Sequence, residues 1–273
     1  MRMISYAQNY EDVLLDRLFP TGSGFYIDVG ANDPVHQSVT KHFYDRGWHG
    51  LNIEPEPGAF RRLCAERRRD INLNLGISNR EGNLTFFEAS AASGWSTFSP
   101  AQAENLRRRG LEVIERSVPV STLASLCERY VPRGLSIDFL KIDAESHERE
   151  VIEGADWTRW RPRVVLIEAN GSEEWEPLML RADYRLALFD GINRFYLRAE
   201  DAHLLPRLGI PANFTDDFIP YEYYQRIEAL RTRLALYEDL GPSALGVARW
   251  LQRTSARFPR LASVVKRAVR LVG

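Results

Sequence analysis

The chain has 273 residues, 36 basic and 37 acidic side chains, a formal net charge of −1 and a hydrophobic content of 44%. That length supports one full α/β core with a modest appendage, and no nucleic-acid reading motif accompanies the basic residues. Two lone cysteines, Cys64 and Cys127, both in stretches that read as helices, exclude a disulfide framework or a zinc site.

No apolar run of signal-peptide length opens the sequence, and no stretch approaches the ~20 apolar residues of a membrane span, so a cytoplasmic protein is expected. The charge is unevenly spread. Arg249, Arg253, Arg257, Arg260, Lys266, Arg267 and Arg270 lie within 242–273, where no acidic residue occurs. The body is acidic and the tail basic.

In chain order, Gln8 and Asn9 form a turn or lid before a helix at Asp12. Phe25–Ala31 is a buried-strand run, Ser38–Arg46 a helix and Gly50–Glu54 a second strand. Pro57 opens a helix to about Arg68, because its fixed φ suits a first turn. A third strand is expected over Ile71–Ile77. Leu84–Glu88 reads as a strand, Ala89–Thr97 as a small-residue loop around Trp95, and Ala101–Arg109 as a helix. Ser121 is the expected N-cap of a helix through Tyr130. Ile137–Asp143, Val164–Glu168, Tyr184–Phe189 and Asn193–Leu197 are further strands, with helices near Glu148–Gly154 and Glu174–Arg181 and a turn at Asp190–Ile192.

This alternation predicts an α/β fold with a doubly wound, mostly parallel sheet, an antiparallel edge hairpin and a helical C-terminal extension. The expected divisions are an N-terminal lid or helix over 1–24, a cofactor-binding domain over 25–200, and a helical extension with a basic amphipathic tail over 201–273.

Ligands of such sheets lie beyond the carboxyl ends of the strands, where strand order reverses. The first strand ends Asp28-Val-Gly30-Ala-Asn32. Glycine lets the main chain approach a ligand, and a neighbouring carboxylate can accept from an ammonium. Glu54 ends the second strand, where a carboxylate suits the hydroxyls of a ribose. An adenosine-type ligand follows, unless Gly30 merely permits a turn and Glu54 is a solvated loop carboxylate. NAD and a P-loop nucleotide are disfavoured, since neither glycine pattern occurs.

The next two strands end Lys141-Ile-Asp143-Ala-Glu145-Ser-His147 and Glu168-Ala-Asn170. Asp143, Glu168 and Asn170 could hold Mg²⁺, which would lower the pKa of an acceptor hydroxyl. Equally, Asp143 could orient a cofactor, Glu145 cap the following helix and Glu168 satisfy main-chain donors. His147 and His36 are candidate bases, or surface histidines, with ordinary pKa values of ~6.5. Trp95 could stack on a sugar face or adenine, or simply pack.

Together, Phe25–Pro34, Asn52–Pro57 and Leu140–Glu145 resemble the signature blocks of FkbM-type S-adenosylmethionine-dependent methyltransferases. Ser5–Val13 and Phe189–Phe195 resemble its bacterial polysaccharide and glycan-modifying branch. The likeness covers about residues 4–198. It implies a class I methyltransferase-like fold with a seven-stranded sheet, S-adenosyl-L-methionine as methyl donor and a sugar hydroxyl of a glycan or glycolipid intermediate as acceptor. By the same resemblance, Asp28, Gly30 and Asn32 line the methionine end, Glu54 the ribose and Asn74 to Ser78 the adenine side, while Asp143 faces the reacting centre. Apart from the resemblance, Gln8 and Asn9 could close over the cofactor or form an ordinary turn, and His36 and Trp95 are candidate acceptor contacts. Asp143, Glu145 or a metal would deal with the hydroxyl proton. Ser146-His147 departs from the glycine and small residue of the family pattern, which makes His147 an acceptor contact or a neutral change.

Tyr223, Ile227, Leu230, Leu234 and Tyr237 recur at alternating four and three, enough for a helix that docks on the body or a partner, including a second copy. From Leu261 onward an apolar face opposes a basic one. Such a helix can lie on an anionic membrane or fold onto the acidic body. The competing functions are a metal-dependent nucleotide-sugar glycosyltransferase using Asp143 and Glu145, and a non-catalytic membrane-associated scaffold.

Overall fold

Apolar runs too short for helices become the strands of a central sheet. The structure, a computed structural model, describes residues 2–90, 93–169, 171, 173–238 and 246. The first half comprises β1 (Met3–Ser5), α1 (Glu11–Leu18), β2 (Phe25–Val29), α2 (Lys41–Asp45), β3 (His49–Ile53), α3 (Pro57–Glu66), β4 (Ile71–Leu73), β5 (Gly76–Ile77), β6 (Gly82–Ala89), α4 (Pro100–Arg108) and β7 (Val113–Ser121). There follow α5 (Leu123–Tyr130), β8 (Phe139–Ile142), α6 (Glu148–Glu153), β9 (Val164–Glu168), α7 (Glu176–Arg181), β10 (Tyr184–Phe189), β11 (Asn193–Arg198), α8 (Leu205–Leu208), β12 (Phe218–Pro220) and α9 (Tyr221–Glu238).

The main sheet has the order β10-β11-β9-β8-β2-β3-β4. Strands β4 through β9 are parallel, β11 is antiparallel to β9, and β10 is antiparallel to β11. Six strands therefore share one direction and the sheet is mixed. The reversed strand is not at the edge. Helix α7 carries the chain past one strand position before β10, and the tight turn at Asp190 folds β11 back into the gap.

Both faces of this sheet are covered, which is why its strands are nearly continuous apolar runs. Ile27, Val29, Leu51, Ile53, Leu140, Ile142, Val165 and Ile167 face one side with Leu126 of α5, Ile152 of α6 and Met179 of α7. Tyr26, Phe139, Leu166 and Phe195 face the other with Leu14 and Leu15 of α1, Phe43 of α2 and Leu208 of α8. There Phe43, Trp48 and Phe139 pack at ring-centroid distances of 4.8 to 6.1 Å, within the range of favourable aromatic pairs.

Local chemistry sets the helix starts. Glu56 accepts from the N–H groups of Gly58 and Ala59, with Pro57 at the first position of α3, and Ser99 with Pro100 does the same for α4. The cap of α5 is Thr122, not Ser121, because Ser121 still belongs to β7 and its carbonyl accepts from Ser78 N–H. The expected strand over Ile71–Ile77 is two strands. Asn74 donates its side-chain amide to the carbonyls of Glu54 and Pro55, which turns the chain there. β4 stays in the main sheet while β5 joins β7 and β6 in a second, three-stranded sheet.

Residues 1–220 form one compact unit and 221–273 a second. The division expected at 200/201 thus falls after Pro220, since β12 pairs with β1 and Leu204 and Leu208 are buried in the core. Residues 1–24 are likewise part of the body, because Val13, Leu14, Leu15 and Leu18 of α1 are buried. In the second unit, α9 carries the stripe Tyr223, Ile227, Leu230 and Leu234, all exposed. The basic tail over 242–273, apart from Gly246, lies outside the described residues. Among the described residues no helix is long and apolar enough to cross a membrane.

Candidate active site

From β2 the chain proceeds to β3 on one side, and β8 leads to β9 on the other, so strand order reverses between β2 and β8. A cavity open to solvent lies at the carboxyl ends of these strands. Val29, Gly30 and Asn32 line it from the end of β2, Ile53, Glu54 and Pro55 from β3, and Asp143, Ala144 and Glu145 from β8. The small sheet adds Gly76, Ile77 and Phe86, and the loop after Ser93 adds Gly94, Ser96 and Phe98.

Gly30 must be glycine here. Its φ is +74°, and a Cβ would stand 1.9 Å from the carbonyl oxygen of Asp143. Asn32, at φ +45°, donates its N–H to Glu54 Oε2 at 2.8 Å, and Glu56 N–H donates to Oε1 at 2.7 Å. Glu54 is 6% exposed. Burial pushes its carboxyl up to about 7 against these two stabilising donors.

Carboxylate oxygens of Asp143, Glu145 and Glu168 all lie within 4.8 Å of one another. Burial first, then the charges of Asp143 and Glu168, push the Glu145 carboxyl up to about 9. It carries a proton at neutral pH. Of the set Asp143, Glu168 and Asn170, Asn170 lies outside the described residues, and Glu145 takes the third place. Three oxygen donors are the chemistry a hard cation uses, but the Lys141 ammonium already stands 3.3 Å from Asp143 Oδ2.

The turn carrying Glu145 is strained. Glu145 (φ +51°) and Ser146 (φ +75°) both occupy the left-handed region where glycine is favoured. Two side chains hold it: buried Glu148 accepts from the N–H groups of Ala144 and Ser146 at 3.1 Å each, and Thr97 Oγ1 donates to the Glu145 carbonyl at 2.5 Å. The second ties the covering loop to the strand end.

Several expected residues stand elsewhere. Asp28 does not line the cavity: a mid-strand residue at 2% exposure, it points into the sheet face and accepts from Thr40 Oγ1 at 3.0 Å. Asn74 is the exposed strut that turns the chain, and Ser78 is buried with its Oγ 3.3 Å from His147 Nε2. His147 is neither a cavity base nor a surface residue. It is 8% exposed, with Nδ1 3.4 Å from Glu150, and burial lowers its pKa. His36 is exposed beyond the turn, Trp95 is 46% exposed, and Gln8 is exposed, none of them lining the cavity.

Two residues escaped the sequence reading. Lys141 bridges Asp28, Asp143 and the Gly30 carbonyl, and the signal was a lysine in the otherwise apolar run Phe139–Ile142. Glu148 holds the Ala144–Ser146 turn, which its place at a helix start could have suggested.

The Methyltransferase FkbM domain matches residues 28–195, more than half of the chain. Methyltransferase sdnD of Sordaria araneosa is 26% identical over 212 residues, covering 66% of this chain and 79% of that protein. The crystal structure of methyltransferase FkbM from Methylobacillus flagellatus KT is 14% identical, with a TM-score of 0.41 over 64% of this chain. This chain spans 44% of that protein's length. The domain match runs from β2 into β11 and takes in every strand end that lines the cavity. On that match, the chain belongs to the family of methyltransferases that carry the FkbM domain.

Proposed function

We propose that this methyltransferase takes its methyl group from S-adenosylmethionine and transfers it to a sugar hydroxyl of a bacterial glycan or glycolipid intermediate. The observation that carries the donor is the pairing of the Gly30 turn with the buried carboxyl of Glu54, both on one cavity at the strand-order reversal. The residues present fit the group. The Gly30 turn leaves no room for a side chain, Glu54 suits vicinal ribose hydroxyls, and Ile53, Ile77, Phe86 and Phe98 wall an apolar slot for a flat ring. A class I methyltransferase-like arrangement is supported by the seven-stranded order with its single reversed strand.

Held by the Gly30 turn and Glu54, S-adenosylmethionine would supply an electrophilic methyl carbon to the acceptor oxygen, the C–S electron pair returning to sulfur as the C–O bond forms. The chain's part is placement, exclusion of water and disposal of the hydroxyl proton. Asp143, on the cavity wall, accepts that proton. Glu145 already holds one at neutral pH and presents an O–H to an acceptor oxygen. The sugar acceptor is supported by the resemblance of the Ser5–Val13 and Phe189–Phe195 blocks and by the carboxyl groups gathered beside the cavity, which suit hydroxyl donors.

Calorimetry with S-adenosylhomocysteine, UDP and GDP tests the donor. Binding of S-adenosylhomocysteine alone is expected, and tight binding of a nucleotide diphosphate alone would replace this reading with glycosyl transfer. Peripheral contact of the 242–273 tail with the inner face of a membrane belongs to the same proposal. Liposome sedimentation with and without 242–273 tests it, equal partitioning of the two proteins removing the idea.

A further inference from the structure

Lys141 lies in β8, whose other members Phe139, Leu140 and Ile142 are buried and apolar. In the parallel register it stands beside Asp28 of β2, and Asp28 beside Asn52 of β3, so a polar row crosses one face of the sheet just below the cavity. Its Nζ is 2.7 Å from the Gly30 carbonyl, 3.3 Å from Asp28 Oδ1 and 3.3 Å from Asp143 Oδ2. An ammonium has three N–H groups, and three oxygens from three chain positions surround this one. Asp28 Oδ1 is buried and, among the described residues, has no hydrogen-bond partner beside this ion pair.

We infer that Lys141 is a positioning residue of the methyltransferase, fixing the Gly30 turn and the Asp143 carboxylate in the geometry that receives the methionine end of S-adenosylmethionine; this rests on the donor reading above. Gly30 and Asp143 are the two strand ends that meet at the strand-order reversal, and Lys141 is anchored to both from beneath. Binding Asp143 through Oδ2 leaves Oδ1 to a ligand. Anchoring the Gly30 carbonyl holds a left-handed turn whose backbone closely approaches Asp143. A purely structural lysine, present only to neutralise Asp28, would need neither of these contacts.

The experiment separates the two roles. Lys141→Met keeps the stem but leaves Asp28 charged and buried, so it is compared with the pair Asp28→Asn/Lys141→Met, which removes both charges, and with Asp28→Asn alone. Thermal midpoints, calorimetric binding of S-adenosylhomocysteine, and kcat and KM for the methyl donor are measured on the full chain. The single Lys141→Met protein is expected to melt lowest and the pair to regain most of the wild-type midpoint. The pair should nevertheless bind S-adenosylhomocysteine about tenfold more weakly, the size of one lost charge-assisted contact, with KM rising more than kcat falls. Asp28→Asn, which retains the contacts to Gly30 and Asp143, should bind within about threefold of wild type on the same scale.

Wild-type affinity in the pair, or equal weakening in Asp28→Asn, would overturn the inference by making the lysine a counter-charge only; a pair that does not fold would overturn it by making the lysine a general support of the fold. Wild-type protein that does not bind S-adenosylhomocysteine would overturn the donor reading itself, and this inference with it.

Discussion

Asn193 donates its side-chain amide to the carboxyl of Glu11 at 2.7 Å, joining residues 182 positions apart in the chain. The same carboxyl accepts from Asn9 N–H at 2.8 Å, and the Asn9 side chain donates to the Asp190 carbonyl at 3.1 Å. The opening block and the late hairpin block are therefore one structural feature. Asn193 also stands opposite Glu168 in the sheet, so this feature adjoins the carboxyl group at the end of β9.

Removing Glu11 tests the weight of that connection. Glu11 is 3% exposed, and Glu11→Ala leaves the buried Asn193 amide unsatisfied. A loss of about 1–3 kcal/mol is expected, or roughly 3–10 °C in the thermal midpoint for a body of this size. Scanning calorimetry decides; an unchanged midpoint would show that water or another group replaces the carboxyl.

Stability should fall as pH rises from about 5 to 8. Burial raises Glu11, Glu54 and Glu148 to about 7 and Asp12 to about 6, so between the ordinary carboxylate range and these values the folded chain holds more protons than the unfolded one. Stability contributed by the protonated forms is full below that window and is lost as pH passes through it. His147, whose pKa burial lowers, works in the opposite direction as a single group. The carboxyls of Glu200 and Asp216, lowered by arginine partners, lose their contribution only in more acidic solution. Midpoints measured across this range in one ionic strength check the slope, and Glu11→Gln should flatten it; a rise with pH would contradict the account.

Gly30→Ala should abolish binding of S-adenosylhomocysteine in calorimetry. The new Cβ would stand 1.9 Å from a backbone oxygen, and backbone cannot move aside as a flexible side chain can. Left-handed φ adds about 1–2 kcal/mol of strain for a non-glycine residue. By contrast Gly134→Ala, at another positive φ but with nothing within 4 Å, should lower the midpoint and leave binding intact. Equal binding losses at both positions would point to general destabilisation.

Methyl transfer should survive exhaustive treatment with EDTA. Around Asp143, Glu145 and Glu168, the Lys141 ammonium and the proton on Glu145 already offset the clustered negative charge. Activity assayed with and without chelator is the measurement. Loss on chelation with recovery on adding Mg²⁺ would place a cation among these three carboxyl groups.

Much of the architecture was legible along the chain, because buried strands and amphipathic helices leave different periods in the apolar pattern. Val164–Glu168 and Tyr184–Phe189 form as expected to the residue, and Pro57 opens α3. The short pairings were not legible. β1 and β12 have three residues each and find one another across more than 200 positions, so no local pattern announces them. The break at Asn74 depends on carbonyls contributed by Glu54 and Pro55, which only the folded chain brings within reach.

Within the site, Gly30 and Glu54 could be read from sequence because a strand that ends in glycine or a carboxylate is a local event. Asp28 and His147 could not be placed, since exposure depends on what packs over a residue: the sheet face under α2 covers one, Phe98 and Ser78 the other. Residue order alone determined the alternation of strands and helices and the chemical groups available at each strand end. Tertiary structure decided which groups meet, because the parallel register of β2 and β8 sets Lys141 beside Asp28 and beneath Gly30, 111 positions apart. Periodicity is written in neighbours along the chain, whereas register is settled by burying both faces of the sheet at once.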